Sequence, residues 1–314
     1  MYSVKSLKEK LPHDFLNSLY DIFSPCTVDK ILMGLASKRD VTLRVNTLKY
    51  DTRQVMQYLT DMNIKFQRNT WFKDALSIKN VTEKEIQKLN IYENGGIYLQ
   101  SLPSMMPPLV LQPRPGDNVL DLTAAPGGKT TQIAAIMKNK GYVLANEMDK
   151  IRFERLKYNV EKQGASIVEI KLGDGSKLGN IYKEKFDKVL LDAPCSGEGR
   201  FLASDVRTYK YWSKNEVIKL VEVQKKLFKS AYTALKPGGT MVYSTCTLNF
   251  EENEKIIDWA LDNFNLKTQK IELEVPHRME GISEGVKKEI KNSMRILPNR
   301  EMEGFFICKL YKSS

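Results

Sequence analysis

Two cysteines, Cys195 and Cys246, are the residues best placed to do chemistry. The first lies in Asp192-Ala193-Pro194-Cys195-Ser196-Gly197 and the second in Tyr243-Ser244-Thr245-Cys246-Thr247, each after an apolar run that reads as a buried strand. A lone cysteine at a strand end is more often a small core residue than a nucleophile, and Cys26 and Cys308 are read that way. The other two differ because both lie downstream of a glycine-rich turn, Asp121-Leu122-Thr123-Ala124-Ala125-Pro126-Gly127-Gly128-Lys129-Thr130. Such a turn opens a nucleotide-type binding site. A thiol beside it suggests covalent catalysis, and two thiols suggest that one attacks while the other helps to release the product.

The turn lies between a strand and a helix, so Gly127 and Gly128 let the backbone approach a ligand closely, and the helix start favours a carboxylate or phosphate. The Gly-x4-Gly-Lys-Ser/Thr spacing of a phosphate-binding loop is absent. Glu147, ending the next strand, is placed to accept hydrogen bonds from ribose hydroxyls. Asp174, after a third strand, is placed to meet an adenine edge. Their competing readings are a solvated strand end for Glu147 and a turn residue in Gly173-Asp174-Gly175-Ser176 for Asp174. Asp192 ends a fourth strand, and Pro194 stiffens the turn that presents Cys195.

These groups need a scaffold, and the chain supplies an alternating one. From Asn118 onward, strands at 118–122, 142–146, 167–170, 188–191 and 240–243 alternate with helices at 129–138, 149–163 and a long one whose apolar stripe runs from Val217 to Leu235. Gly164 stops the second helix, and Pro237-Gly238-Gly239 ends the third. This predicts an α/β fold: an open, mostly parallel sheet with helices on both faces and ligands at the carboxyl ends of its strands. Residues 1–98 predict a small N-terminal α+β domain, with a strand at Thr42–Thr47 and helices at 52–62 and 82–89, each entered by a Thr cap. The prolines between 100 and 116 predict a connection into the second domain, residues 99–314.

Composition sets the outer bounds. The chain has 314 residues, enough for two domains, and a net charge of +11 that permits a nucleic-acid partner without proving one. The basic excess is spread over both domains. Four cysteines without CxxC spacing and just two histidines, His13 and His277, argue against a metal site and against a disulfide framework. No signal peptide is evident and no apolar run approaches the roughly 20 residues that cross a bilayer. A monomeric, cytoplasmic protein is expected.

Taken together, the strings Asp121–Thr130, Asp192–Gly197 and Ser244–Thr247, with Arg44-Val45-Asn46 upstream and Arg295-Ile296-Leu297-Pro298 and Gly304-Phe305-Phe306 near the end, resemble the RsmB/RsmF/Sun family of RNA cytosine-5 methyltransferases. The resemblance covers residues 97–311 and implies a Rossmann-like methyltransferase sheet that uses S-adenosylmethionine. It implies Cys246 as nucleophile, Cys195 as the second, product-releasing cysteine, and Asp192 near both cofactor and target base. It also implies Ala124, Ala125, Pro126, Gly127, Gly128, Lys129, Glu147, Arg152 and Asp174 as cofactor contacts. The nucleophile must be a thiolate, so local positive charge or amide donors should favour it, and Lys129 is a candidate to supply the charge.

Arg44, Asn46, Arg200 and Arg295 are the expected RNA contacts, with the interdomain seam as a competing place for Arg44 and Asn46. Two positions depart from the family pattern: Thr123 where Cys is frequent, and Asn299 where His is common. The run Cys195-Ser196-Gly197-Glu198-Gly199-Arg200-Phe201 resembles the RsmF-type branch, although the chain ends soon after Tyr311, leaving no room for that branch's C-terminal domains. Small-subunit (16S) ribosomal RNA, in an assembled or partly assembled particle, is therefore the expected substrate. Transfer RNA is the alternative. A non-catalytic RNA-binding assembly factor is a third reading, disfavoured because binding alone requires neither thiol. An amino-group methyltransferase is weaker still, because its Asn/Asp-Pro-Pro-aromatic turn is replaced here by Asp-Ala-Pro-Cys.

Overall fold

The structure, a computed structural model, describes residues 3–313. Three short helices open it: α1 (Val4–Lys10), α2 (His13–Tyr20) and α3 (Pro25–Leu35). Strand β1 (Val41–Val45), helix α4 (Thr52–Asp61), strands β2 (Phe66–Asn69) and β3 (Phe72–Ile78), helices α5 (Glu83–Ile86) and α6 (Asn90–Glu93), and strand β4 (Ile97–Leu99) follow. The four strands form an antiparallel sheet in the order β2-β3-β1-β4. Helix α4 is capped by Asp51 and not by Thr52 as expected. The Asp51 carboxylate accepts from the Gln54 amide at 2.9 Å, while the Gln54 side chain reaches back to the Asp51 amide. Thr82 does cap its helix, but that helix closes after one turn at Ile86.

The proline-rich stretch is a folded element rather than a bare connection. A 3-10 turn at Pro103–Met105 runs into helix α7 (Met106–Leu111), with Pro107 and Pro108 in the first turn, where a missing N–H costs no intrahelical bond. Met105, Met106, Val110 and Leu111 are buried, so the stretch packs against the main sheet.

Strands and helices then alternate: β5 (Asn118–Asp121), α8 (Gly128–Ile136), β6 (Tyr142–Glu147), α9 (Lys150–Gln163), β7 (Val168–Leu172), α10 (Gly175–Ile181), β8 (Phe186–Asp192), α11 (Lys214–Ala234), β9 (Leu235–Thr245) and α12 (Glu254–Asn263). Strands β10 (Leu266–Gln269), β11 (Arg278–Glu280), β12 (Met294–Ile296) and β13 (Phe305–Lys312) complete a nine-stranded sheet. Its order is β11-β12-β13-β9-β8-β5-β6-β7, with β10 on β13. The five strands β5 to β9 are parallel and the last four antiparallel.

Alternation along each strand feeds two cores. Leu120, Leu144, Val189, Leu191 and Met241 face α11 and α12 through Phe228, Ala231, Ile256 and Ile257. Val119, Val143, Leu190 and Val242 face α7 and α8 through Val110, Leu111 and Ile133. This is the Rossmann-like layering of helices on both faces. The order reverses between β5 and β8, which opens a crevice at the carboxyl ends of those strands. Helices α1–α3 pack beside that crevice: their core includes Phe201, Tyr209 and Leu248, and Phe15 meets Phe201 edge-on at 5.0 Å. Among the described residues, no helix is long and apolar enough to cross a membrane.

Candidate active site

The crevice has a glycine-loop side, called the cofactor side after the ligand expected there, and a thiol side. On the cofactor side, Gly127 adopts φ +104°, a left-handed conformation open to glycine, and α8 starts at the next residue. Thr130 Oγ1 donates to Asp121 Oδ2 at 2.7 Å and ties that helix to the end of β5. Burial pushes the Asp121 carboxyl up to about 7, against the lowering effect of that bond. Glu147 ends β6 almost fully buried. Its Oε1 accepts from the Met148 and Asp149 amides at 2.9 and 3.0 Å, while Oε2 lies 3.6 Å from Arg152. Arg152 also donates to the Ala125 carbonyl at 2.9 Å, so it braces the glycine loop against Glu147. Asp174 is exposed at the end of β7, where it caps α10 and accepts from Ser176. The structure therefore shows the turn-capping role that competed with the adenine-edge reading of Asp174.

These residues fit S-adenosylmethionine. Acceptors end successive strands, as ribose hydroxyls and an adenine edge require, and the left-handed Gly127 removes side-chain bulk from the loop. Asn146 Oδ1 is buried in this crevice with no hydrogen-bond partner among the described residues. No group of three or more metal-ligating side chains occurs among them.

On the thiol side, β8 and β9 run parallel in register, Asp192 beside Ser244, and deliver both cysteines to one place. Cys195 Sγ and Cys246 Sγ are 3.5 Å apart, and both residues are half-buried. The Cys195 thiol is pushed well above its ordinary value, first by its hydrogen bond with Cys246 and then by burial. Beneath it, Glu252 accepts from the Ser196 amide at 2.9 Å and from the Ser196 hydroxyl, and Gln224 donates to it at 2.9 Å. Burial raises the Glu252 carboxyl, and raises that of neighbouring Glu198 to about 7.

Asp192 sits between the two sides. Its Oδ2 accepts from Lys129 Nζ and its Oδ1 from Ser244 Oγ, each at 2.7 Å, while Thr123 Oγ1 donates to its carbonyl at 2.8 Å. Lys129 Nζ also donates to Ser104 Oγ at 2.8 Å. The lysine is therefore committed to Asp192, and its charge is neutralised there rather than spent on Cys246.

Three of the four expected RNA contacts are placed elsewhere. Arg44 is buried, with Nε on Gln100 Oε1 at 3.0 Å and Nη2 on Thr131 Oγ1 at 2.9 Å. Asn46, also buried, donates to the Gly95 and Gln163 carbonyls at 2.8 Å. Both therefore hold the seam between the N-terminal sheet and the main sheet, the alternative place the sequence offered for them, and are buried away from solvent. Arg295 is fully buried in an ion pair with Glu254 and donates to the Leu248 carbonyl at 2.8 Å, which anchors the chain following Cys246. Arg200 alone of the four is exposed. Asn299 accepts from the Glu301 and Met302 amides and shapes a turn.

Sequence reading missed Glu252, Glu303 and Ser244. The acidic run Glu251-Glu252-Asn253-Glu254 so soon after Cys246 was a signal for the first. Glu303, whose Oε1 accepts from Ser101 Oγ and whose Oε2 lies 3.6 Å from Arg200, carried no local signal.

Comparison with known proteins agrees with this architecture. Residues 108–311 match the 16S rRNA methyltransferase RsmB/F family, and residues 12–83 match the ferredoxin-like domain of RsmF/B-like methyltransferases. Ribosomal RNA small subunit methyltransferase F of Shewanella oneidensis is 36% identical over 308 residues, which cover 97% of this chain and 64% of that protein. The chain thus spans less than two thirds of that relative's length. The tRNA (cytosine(49)-C(5))-methyltransferase of Pyrococcus abyssi is 36% identical over 276 residues, 86% of this chain and 88% of that one. The crystal structure of a methyltransferase homologue from Pyrococcus horikoshii superposes with a TM-score of 0.79 at 32% identity, covering 96% of this chain and 100% of that one. The paired strand-end cysteines and the glycine loop thus sit on a shared fold, and the chain belongs to the RsmB/F methyltransferase family.

Proposed function

We propose that this chain is an S-adenosylmethionine-dependent RNA cytosine-5 methyltransferase that works through a covalent adduct of Cys246, with small-subunit ribosomal RNA as substrate. The observation that carries the reading is the 3.5 Å approach of Cys195 and Cys246 beside the Lys129–Asp192 pair. RNA binding alone would need neither sulfur.

Carbon 5 of cytosine is a poor nucleophile. Addition of the Cys246 thiolate to carbon 6 moves an electron pair through the ring and makes carbon 5 enamine-like. Asp192, fixed by Lys129 and Ser244, is the group to meet ring nitrogen 3 and the exocyclic amine. When bound along Ala124–Gly128, Glu147 and Asp174, S-adenosylmethionine supplies the electrophilic methyl group that carbon 5 takes. The carbon-5 proton must then leave. Cys195 keeps its own proton while its neighbour is a free thiolate, because the bond to Cys246 is the first cause of its raised value. Once Cys246 is bonded to carbon, that cause is gone. Cys195 then gives its own proton to solvent and, as a thiolate or through a water it orients, takes the carbon-5 proton; the ring double bond reforms and Cys246 leaves as thiolate.

The substrate assignment rests on the RsmF-like run Ser196–Phe201 and on the relative from Shewanella. A second reading, transfer RNA, rests on the 36% identity to the Pyrococcus enzyme across most of both chains. Labelled methyl transfer to purified small subunits, naked ribosomal RNA and bulk transfer RNA separates them. Label on either ribosomal substrate is expected; label on transfer RNA alone would replace the substrate and keep the chemistry.

A further inference from the structure

A thiolate nucleophile is favoured by a cation beside it, and the lysine of the glycine loop is spent on Asp192. We propose that Arg200 is the cation that holds Cys246 in its reactive thiolate form, oriented by Glu303. This rests on the reading of Cys246 as the nucleophile.

The placement comes from backbone geometry. The 3-10 turn Glu198–Arg200 is pinned to the nucleophile because the Gly199 amide donates to the Cys246 carbonyl at 3.0 Å. The same turn is pinned to the approach to β13, where the Gly304 amide donates to the Gly199 carbonyl at 2.9 Å. A Cβ on Gly199 would lie 2.1 Å from the Gly304 carbonyl oxygen, so the two segments touch as only glycines permit. That contact sets Arg200 beside Glu303, with Arg200 Nε 3.6 Å from Glu303 Oε2. Among the described residues, the arginine has no side-chain ion pair as close as the 2.7 Å bond that engages Lys129. The Gly199–Cys246 backbone bond thus brings the residue next to Arg200 onto the nucleophile's own backbone, and attraction to Cys246, then to Glu303, raises the value of the guanidinium.

The other charged and titratable groups around Cys246 fit this assignment. Cys195 contributes a thiol that stays protonated and can donate to the thiolate. Glu252 lies behind Cys195. Lys129 and Asp192 form a closed pair toward β5. Arg39 faces Glu303 and Arg200, with its Nε and Nη2 buried and bearing no hydrogen bond among the described residues, so positive charge accumulates here. The proton that Cys246 gives up goes to solvent, and Arg200 remains protonated throughout, acting as a positioning residue.

The test needs no RNA. Iodoacetamide is added to the full chain and alkylation of the Cys246 peptide is followed by mass spectrometry; the thiolate sulfur takes the acetamide carbon and iodide leaves. At pH 7, Arg200→Gln, which keeps most of the side chain's volume, should slow Cys246 alkylation about tenfold, the size of effect one adjacent charge produces. The deficit should close near pH 10, and Arg200→Lys should recover most of the rate. Circular dichroism checks the fold, which two-thirds exposure of the Arg200 side chain should spare. Wild-type alkylation in Arg200→Gln at pH 7 would overturn the proposal. So would a deficit equally deep at pH 10, which would report access rather than charge. Loss of the RNA adduct with this rate ratio intact would instead count against the methyltransfer reading.

Discussion

The two sides of the crevice are held together by different means. On the cofactor side, most groups are positioned by residues near them in sequence: Glu147 by the amides of Met148 and Asp149, Asp174 by Ser176, and α8 by the left-handed Gly127, with Arg152 on the Ala125 carbonyl as the longer tie. On the thiol side, each group depends on distant segments. Cys195 leans on Cys246 and Glu252, Asp192 on Lys129 and Ser244, Arg200 on Glu303, and the chain after Cys246 on Arg295. A site built from local turns loses affinity when one group is removed. A site built from a buried network of charges loses its shape, because each removal strands a partner in the interior.

The largest effect should therefore come from Arg295→Ala, which leaves Glu254 buried and unpaired. About 3–5 kcal/mol of stability should be lost, read by denaturant unfolding. A loss below about 1 kcal/mol would show that the thiol side does not rest on this pair. Asp121 is the exception on the cofactor side, a carboxyl buried at the end of β5. Its folded value, raised to about 7 from an ordinary 3.8, means that the folded state binds the proton more tightly. The contribution is present below pH 4 and lost as pH rises toward 7, a decline on the order of a few kcal/mol. Asp121→Asn should flatten that slope in unfolding measured from pH 4 to 7; a slope identical to wild type would remove Asp121 as its source. The smallest effect should be Glu147→Ala, which weakens S-adenosylmethionine binding by about 1–3 kcal/mol by calorimetry with little change in unfolding midpoint. Unchanged affinity in the folded variant would take Glu147 out of the site.

The same division governs what could be read in the sequence. The glycine turn, the Asp149 cap and Gly164 stop of α9, and the acidic strand ends are local signals, and the elements on that side of the crevice are legible from them. The strand-end cysteines were visible too, because apolar runs announce buried strands. What escaped was whatever depends on distant partners. For Arg44-Val45-Asn46 the sequence leaves an RNA contact and the interdomain seam both open, and only the distant partners decide for the seam: Arg44 is buried, its guanidinium pushed down to about 10 by desolvation. Strand β2 leaves little trace in the sequence because Phe66-Gln67-Arg68-Asn69 carries little apolar content and is held by its pairing with β3. The prolines at 103, 107 and 108 suggested a linker because proline usually interrupts structure, but at the first turn of a helix it does not.

The assignment of roles to the two sulfurs is tested most directly by trapping protein on RNA. Cys195→Ala and Cys246→Ala variants are incubated with S-adenosylmethionine and substrate RNA, then resolved by denaturing electrophoresis. Cys195→Ala should methylate, stall and accumulate a covalent protein–RNA band that survives denaturation, while Cys246→Ala should give neither band nor methylated product. A band seen in Cys246→Ala alone would exchange the two roles, and full activity without a band in both variants would contradict covalent catalysis.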